Sequence, residues 1–73
     1  MEANFRYSLS RPGRVRLTIY DLAGRRVAQL HDATQLSGEH SVLWAPDGRL
    51  GKGMYFAHLQ TEEGTMALKL MLK

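Results

Sequence analysis

From Phe5 onward the side chains alternate apolar and polar with a period of two, and this alternation limits the chain to β-strands. Phe5, Tyr7 and Leu9 are interleaved with Arg6 and Ser8. Val15, Leu17 and Ile19 alternate with Arg14, Arg16 and Thr18, and Val42 and Trp44 with Ser41 and Leu43. Tyr55, Ala57 and Leu59 alternate with Phe56, His58 and Gln60. Met66, Leu68, Leu70 and Leu72 alternate with Ala67, Lys69 and Met71. Neighbouring side chains on a strand point to opposite faces, so each run can bury one face and wet the other. The nearest approach to a helical stripe, residues 22–30, contains Gly24 and lies between strand runs; residues 26–31 read as a further strand.

The punctuation agrees. Ser10-Arg11-Pro12-Gly13 is a turn, because proline presets φ and glycine permits positive φ. Asp21-Leu22-Ala23-Gly24 reads as a type I turn with glycine at the left-handed position of a short hairpin. Leu36-Ser37-Gly38 and Ala45-Pro46-Asp47-Gly48 are breaks, and Glu62-Glu63-Gly64 is a tight hairpin loop. Strands at this spacing predict an all-β fold: a small antiparallel immunoglobulin-like β-sandwich of about six to seven strands, preferred to a closed barrel.

The length of 73 residues allows one domain, expected to span residues 1–73. A chain this small buries only about 60% of its unfolded surface, and its core is worth on the order of 3–5 kcal/mol net. There is no cysteine to staple it. The last strand therefore matters. Met66, Leu68, Leu70 and Leu72 are expected to face inward, each contributing roughly 1.5–3 kcal/mol when buried. Lys69, Met71 and Lys73 would face outward.

The charge is +3, with Lys+Arg 10 against Asp+Glu 7, and the arginines are scattered. No block of bases signals a nucleic-acid arm, so no nucleic-acid partner is expected. No stretch reaches the roughly 20 apolar residues of a membrane helix, and residues 1–10 contain no signal-peptide core. Arg14, Arg16 and Lys69 read as a solvated strand face, or as an electrostatic handle for an acidic partner.

The residue types that could carry chemistry are not arranged for it. His31, His40 and His58 lie in different strands or strand ends without metal-ligand spacing, and are expected at the surface or rim. Asp32, Asp47, Glu62 and Glu63 are loop carboxylates with no cleft to hold an acid pair and no alternating calcium pattern. Ser8, Ser10, Ser37 and Ser41 sit in no nucleophile elbow. Gly48-Arg49-Leu50-Gly51-Lys52-Gly53 lacks the spacing of a phosphate loop and precedes a strand. No catalytic residue, cofactor or metal is expected. Phe5, Tyr7, Trp44 and Tyr55 are in phase with core positions. Tyr20 and Phe56 are out of phase, and with Leu43 and Met71 they could form an outer patch suited to docking.

Three pieces then carry a resemblance. They are Asp21-Leu22-Ala23-Gly24-Arg25-Arg26-Val27, Gly53-Met54-Tyr55 and Lys69-Leu70-Met71-Leu72-Lys73. Their order and spacing resemble the C-terminal sorting domain of the type IX (Por) secretion system, a domain related to the immunoglobulin-like domain of flagellar hook-assembly proteins. The resemblance covers residues 5–73. It departs from the family ahead of Phe5, where an Asn-Pro stretch is usual, and in a shorter loop before Gly53.

The resemblance implies a role: a non-catalytic secretion signal and cell-surface attachment domain at the C-terminal end of a longer secreted protein of Bacteroidetes type. It implies a cargo domain on its N-terminal side, a secreted hydrolase or adhesin, and recognition of the folded unit by the outer-membrane translocon. Removal by a sortase-like peptidase and surface anchoring would follow, the membrane being involved only through that anchoring. The expected route is the periplasm in transit, then the cell surface or medium. Gly53, Tyr55, Lys69 and Lys73 are the recognition residues so implied, and Asp21, Gly24 and Arg25 the structural turn. Two other readings stay open: a module binding carbohydrate or a surface polymer, and a passive sandwich stabilising an attached hydrolase.

Overall fold

The computed structural model describes residues 3–46 and 50–72. Among the described residues there are six strands: β1 (Ala3–Leu9), β2 (Gly13–Asp21), β3 (Arg26–Gln35), β4 (Gly38–Trp44), β5 (Gly53–Thr61) and β6 (Gly64–Leu72). They form two antiparallel sheets, a small one of order β1-β4 and a larger one of order β3-β2-β5-β6. The fold is a small all-β sandwich, as the alternation requires. The expected strand at residues 26–31 continues to Gln35. The Asp47-Gly48 turn and Lys73 lie outside the described residues.

Each hairpin follows from its turn. β2 and β3 join through Asp21 to Arg25, β5 and β6 through Glu62 and Glu63. The chain changes sheets between β1 and β2, again at Leu36-Ser37, and again between β4 and β5. This is the centre of an immunoglobulin strand order, with β1–β4 in the place of the B–E pair and β3-β2-β5-β6 in the place of C′-C-F-G.

The core lies between the sheets. Val15, Leu17 and Ile19 on β2 are fully buried. Leu17 and Ile19 pack with Trp44 of β4, Tyr55 and Ala57 of β5, and Leu72 of β6. Phe5 and Val42 of the small sheet pack against this cluster from above.

The last strand departs from its expected role. Leu72 is buried and Leu70 half-buried, but Met66 and Leu68 are 59% and 55% exposed. All four are in the expected phase, since Met66 pairs with Leu59, Leu68 with Ala57 and Leu70 with Tyr55. The small sheet does not reach over them. Its β4 approaches β3. Among the described residues nothing takes the place of the strand that flanks β1 in a complete immunoglobulin sheet. A cleft of about 100 Å³ results, lined by Phe5, Leu17, Leu59, Met66 and Leu68.

Candidate recognition face

The turn motif is built from one carboxylate. The Gly24 amide donates to the Asp21 carbonyl (3.0 Å), closing the type I turn, and the Asp21 amide donates to the Arg25 carbonyl (2.9 Å). Asp21 Oδ1 accepts the amides of Ala23 and Arg25, both at 2.9 Å. Asp21 Oδ2 accepts Arg25 Nε at 3.0 Å. Gly24 has φ +84°, a conformation that costs a residue with a Cβ roughly 1–2 kcal/mol. The Arg25 amide, followed by desolvation in the opposite sense and the Arg25 guanidinium, holds the Asp21 carboxyl below its ordinary value. Asp21, Gly24 and Arg25 thus belong to one hydrogen-bonded turn.

Gly53 and Tyr55 open β5. Gly53 has φ +144°. Tyr55 is buried, and its hydroxyl donates to the Gly51 carbonyl at 2.7 Å. The aromatic ring belongs to the core cluster and the hydroxyl closes the loop ahead of the strand. Both residues build the fold from within. Of the implied recognition residues, Lys69 is the exposed one among those described.

Lys69 belongs to a transverse row. On the outer face of the larger sheet, Arg26 pairs with Tyr20, Tyr20 with Phe56, and Phe56 with Lys69. Directly opposed side chains stand with their Cβ atoms about 4.5–5.5 Å apart. The row therefore crosses the sheet as cation, aromatic, aromatic, cation, over about 14 Å at the usual strand spacing. The Tyr20 ring meets His58 edge-on at 5.9 Å. Met54 and Met71, paired across β5 and β6, border the row. The expected outer patch is thus present in Tyr20, Phe56 and Met71. Leu43 is not part of it: it lies on β4, in the other sheet.

Further along the same face, Arg14 donates to Asp32 Oδ1 through Nε (2.9 Å) and Nη2 (2.7 Å), and Arg16 Nε lies 3.7 Å from Asp32 Oδ2. The Arg14 hydrogen bond leads the effects that hold the Asp32 carboxyl below its ordinary value. Asp32, expected in a loop, is a strand residue opposite Arg16.

The histidines separate. His58 is half-buried beside Tyr20, and His40 stacks on Tyr7 at 5.5 Å, with Nε2 2.7 Å from the Leu36 carbonyl. His31 is half-buried on β3, an edge strand of the larger sheet. It pairs with Leu17 on the inner face, and its Nε2 is buried without a hydrogen-bond partner. Two irregularities in the β2–β3 ladder, on either side of Thr18 and Ile19, set this phase. Among the described residues no three histidines or carboxylates gather as a metal site. Glu63 acts in the turns: it accepts the Ser10 hydroxyl and, at 3.3 Å, the Ser10 amide, tying the β1–β2 turn to the last hairpin.

No family model, characterised protein or solved structure matches this chain.

Proposed function

We propose that this is a non-catalytic sorting domain, recognised as a folded unit by a type IX outer-membrane translocon and used to deliver an attached cargo to the cell surface. The observation that carries the reading is the position of β6. Among the described residues it pairs only with β5, and it stands at the edge of the larger sheet. Its free backbone groups offer a strand-addition site, and its outward side chain Lys69 ends the aromatic row. A receptor can read edge, lysine and aromatics together only on the folded domain. The role asks of the domain a stable fold and an exposed surface, and no reaction. A sortase-like peptidase would then act on the chain ahead of it.

The test is a double substitution, Lys69→Ala with Lys73→Ala, in a secreted reporter fusion. Loss of surface delivery with unchanged folding supports the reading. Unchanged delivery of the folded variant removes the lysines from it.

One observation favours a second reading. Tyr20 and Phe56 stand side by side on an outer face, where a carbohydrate or surface polymer could stack. A titration of tyrosine fluorescence with neutral polysaccharides decides it, since the sorting reading predicts no change.

A further inference from the structure

Among the described residues, the outer-facing positions of the strands in the larger sheet carry four cations, Arg14, Arg16, Arg26 and Lys69, and one carboxylate, Asp32. The charge is uneven along this face. Arg14 and Arg16 share Asp32, and Glu62 borders their end. Among the described residues no carboxylate lies within ion-pair distance of Arg26 or Lys69. These two cations flank the half-buried pair Tyr20 and Phe56.

The composition is that of an interface. Aromatic residues, methionine and arginine are enriched at protein–protein contacts, while lysine, aspartate and glutamate are depleted. Among the described residues the face presents Tyr20, Phe56, Met54 and Met71 with three arginines, one lysine and one aspartate. Its apolar centre is bordered by two cations, Arg26 and Lys69. Such a surface gains specificity and association rate from complementary charge, and its affinity from the aromatic anchors.

We infer that this face docks an acidic protein surface, one that presents carboxylates on either side of an apolar centre. Arg26 and Lys69 meet the carboxylates and Tyr20 and Phe56 fill the centre. The inference rests on the sorting reading for the partner's place, a receptor surface of the translocon. It adds the sheet face beside β6 to the recognition of the strand's edge. A bare polyanion would satisfy the cations but would leave the apolar centre unused.

The domain is titrated, by anisotropy, into a labelled glutamate–tyrosine copolymer, into polyglutamate of equal length, into heparin and into oligo-dT. The expected result is copolymer binding at least about 10-fold tighter than polyglutamate, a difference of about 1.4 kcal/mol, and no weaker than to heparin or oligo-dT. Arg26→Glu with Lys69→Glu abolishes it, and Phe56→Thr weakens it. Arg6→Glu with Arg11→Glu, the same charge change off the face, leaves it within about twofold. Circular dichroism confirms that each variant is folded. Equal binding to both polypeptides, tighter binding to heparin or oligo-dT, or equal loss in both double variants overturns the inference. The titration is blind to secretion, whereas a reporter fusion reads secretion alone, so failure of this inference is distinct from failure of the sorting reading.

Discussion

Lys69 is the register partner of Phe56 across β6 and β5, and both face away from the core. The lysine therefore has two physical roles at one position. It ends the aromatic row on the sheet face, and it is the single charged residue within β6, the edge strand. An edge strand offers its free N–H and C=O groups to any passing strand, and a lysine on it opposes such pairing. Met66 and Leu68 are exposed on the same strand, which raises the demand on that charge.

The first prediction separates these roles. Lys69→Val keeps the β propensity of the strand and removes its charge. The variant is expected to self-associate at concentrations where the parent is monomeric, measured by size exclusion with light scattering. A variant that elutes like the parent shows that Lys69 does not guard the edge.

Tyr55 and Gly53 are expected to act on stability. Tyr55→Phe removes the donor to the Gly51 carbonyl and costs about 1 kcal/mol. Gly53→Ala forces a Cβ into φ +144° and costs on the order of 1–3 kcal/mol. Urea unfolding followed by the buried Trp44 reads both. In a domain this small the second loss consumes much of the stability available. A neutral Gly53→Ala shows that the start of β5 relaxes to another φ.

Acid is expected to weaken the fold through three carboxyls. Asp21, held down by the Arg25 amide, Asp32, held down by Arg14, and Glu63, held down by Ser10, all have folded values below their ordinary ones. A depressed carboxyl contributes stability that is fully present above its unfolded value and is lost as pH falls through the folded value. The loss is expected to begin below about pH 4, the unfolded range of Asp and Glu. Tyr7 works at the other end. Burial raises its hydroxyl above the ordinary value, against the smaller opposing effect of Gln35. Its contribution is full below about pH 10 and is lost as pH rises through the folded value. Melting temperature as a function of pH checks both limbs. Asp32→Asn flattens part of the acid limb and leaves the alkaline limb unchanged.

The period of two, the turn residues and the phase of each strand were legible in the sequence because they are local. Val15, Leu17, Ile19, Trp44 and Tyr55 lie where their phase places them. Phase says which face a side chain takes but not whether anything covers that face. Met66 and Leu68 therefore point inward and remain exposed, since their cover depends on the width of the opposite sheet. The row from Arg26 to Lys69 was also hidden, because it depends on three strand registers at once. Its signal was partial: Tyr20 and Phe56 were out of phase with the core. That His31 takes the inner side of β3 depends on the irregularities that shift β3 against β2, which a regular alternation cannot foresee.

The most direct measurement is of delivery. Residues 1–73 are fused behind a signal peptide and a fluorescent reporter, and expressed in a bacterium with a working type IX system and in a sibling lacking the translocon. Cell fractions are then assayed. The sorting account predicts reporter at the surface or in the medium of the competent strain and in the periplasm of the sibling. Periplasmic retention in both strains, with the domain folded and with a flexible linker placed ahead of it, would contradict it.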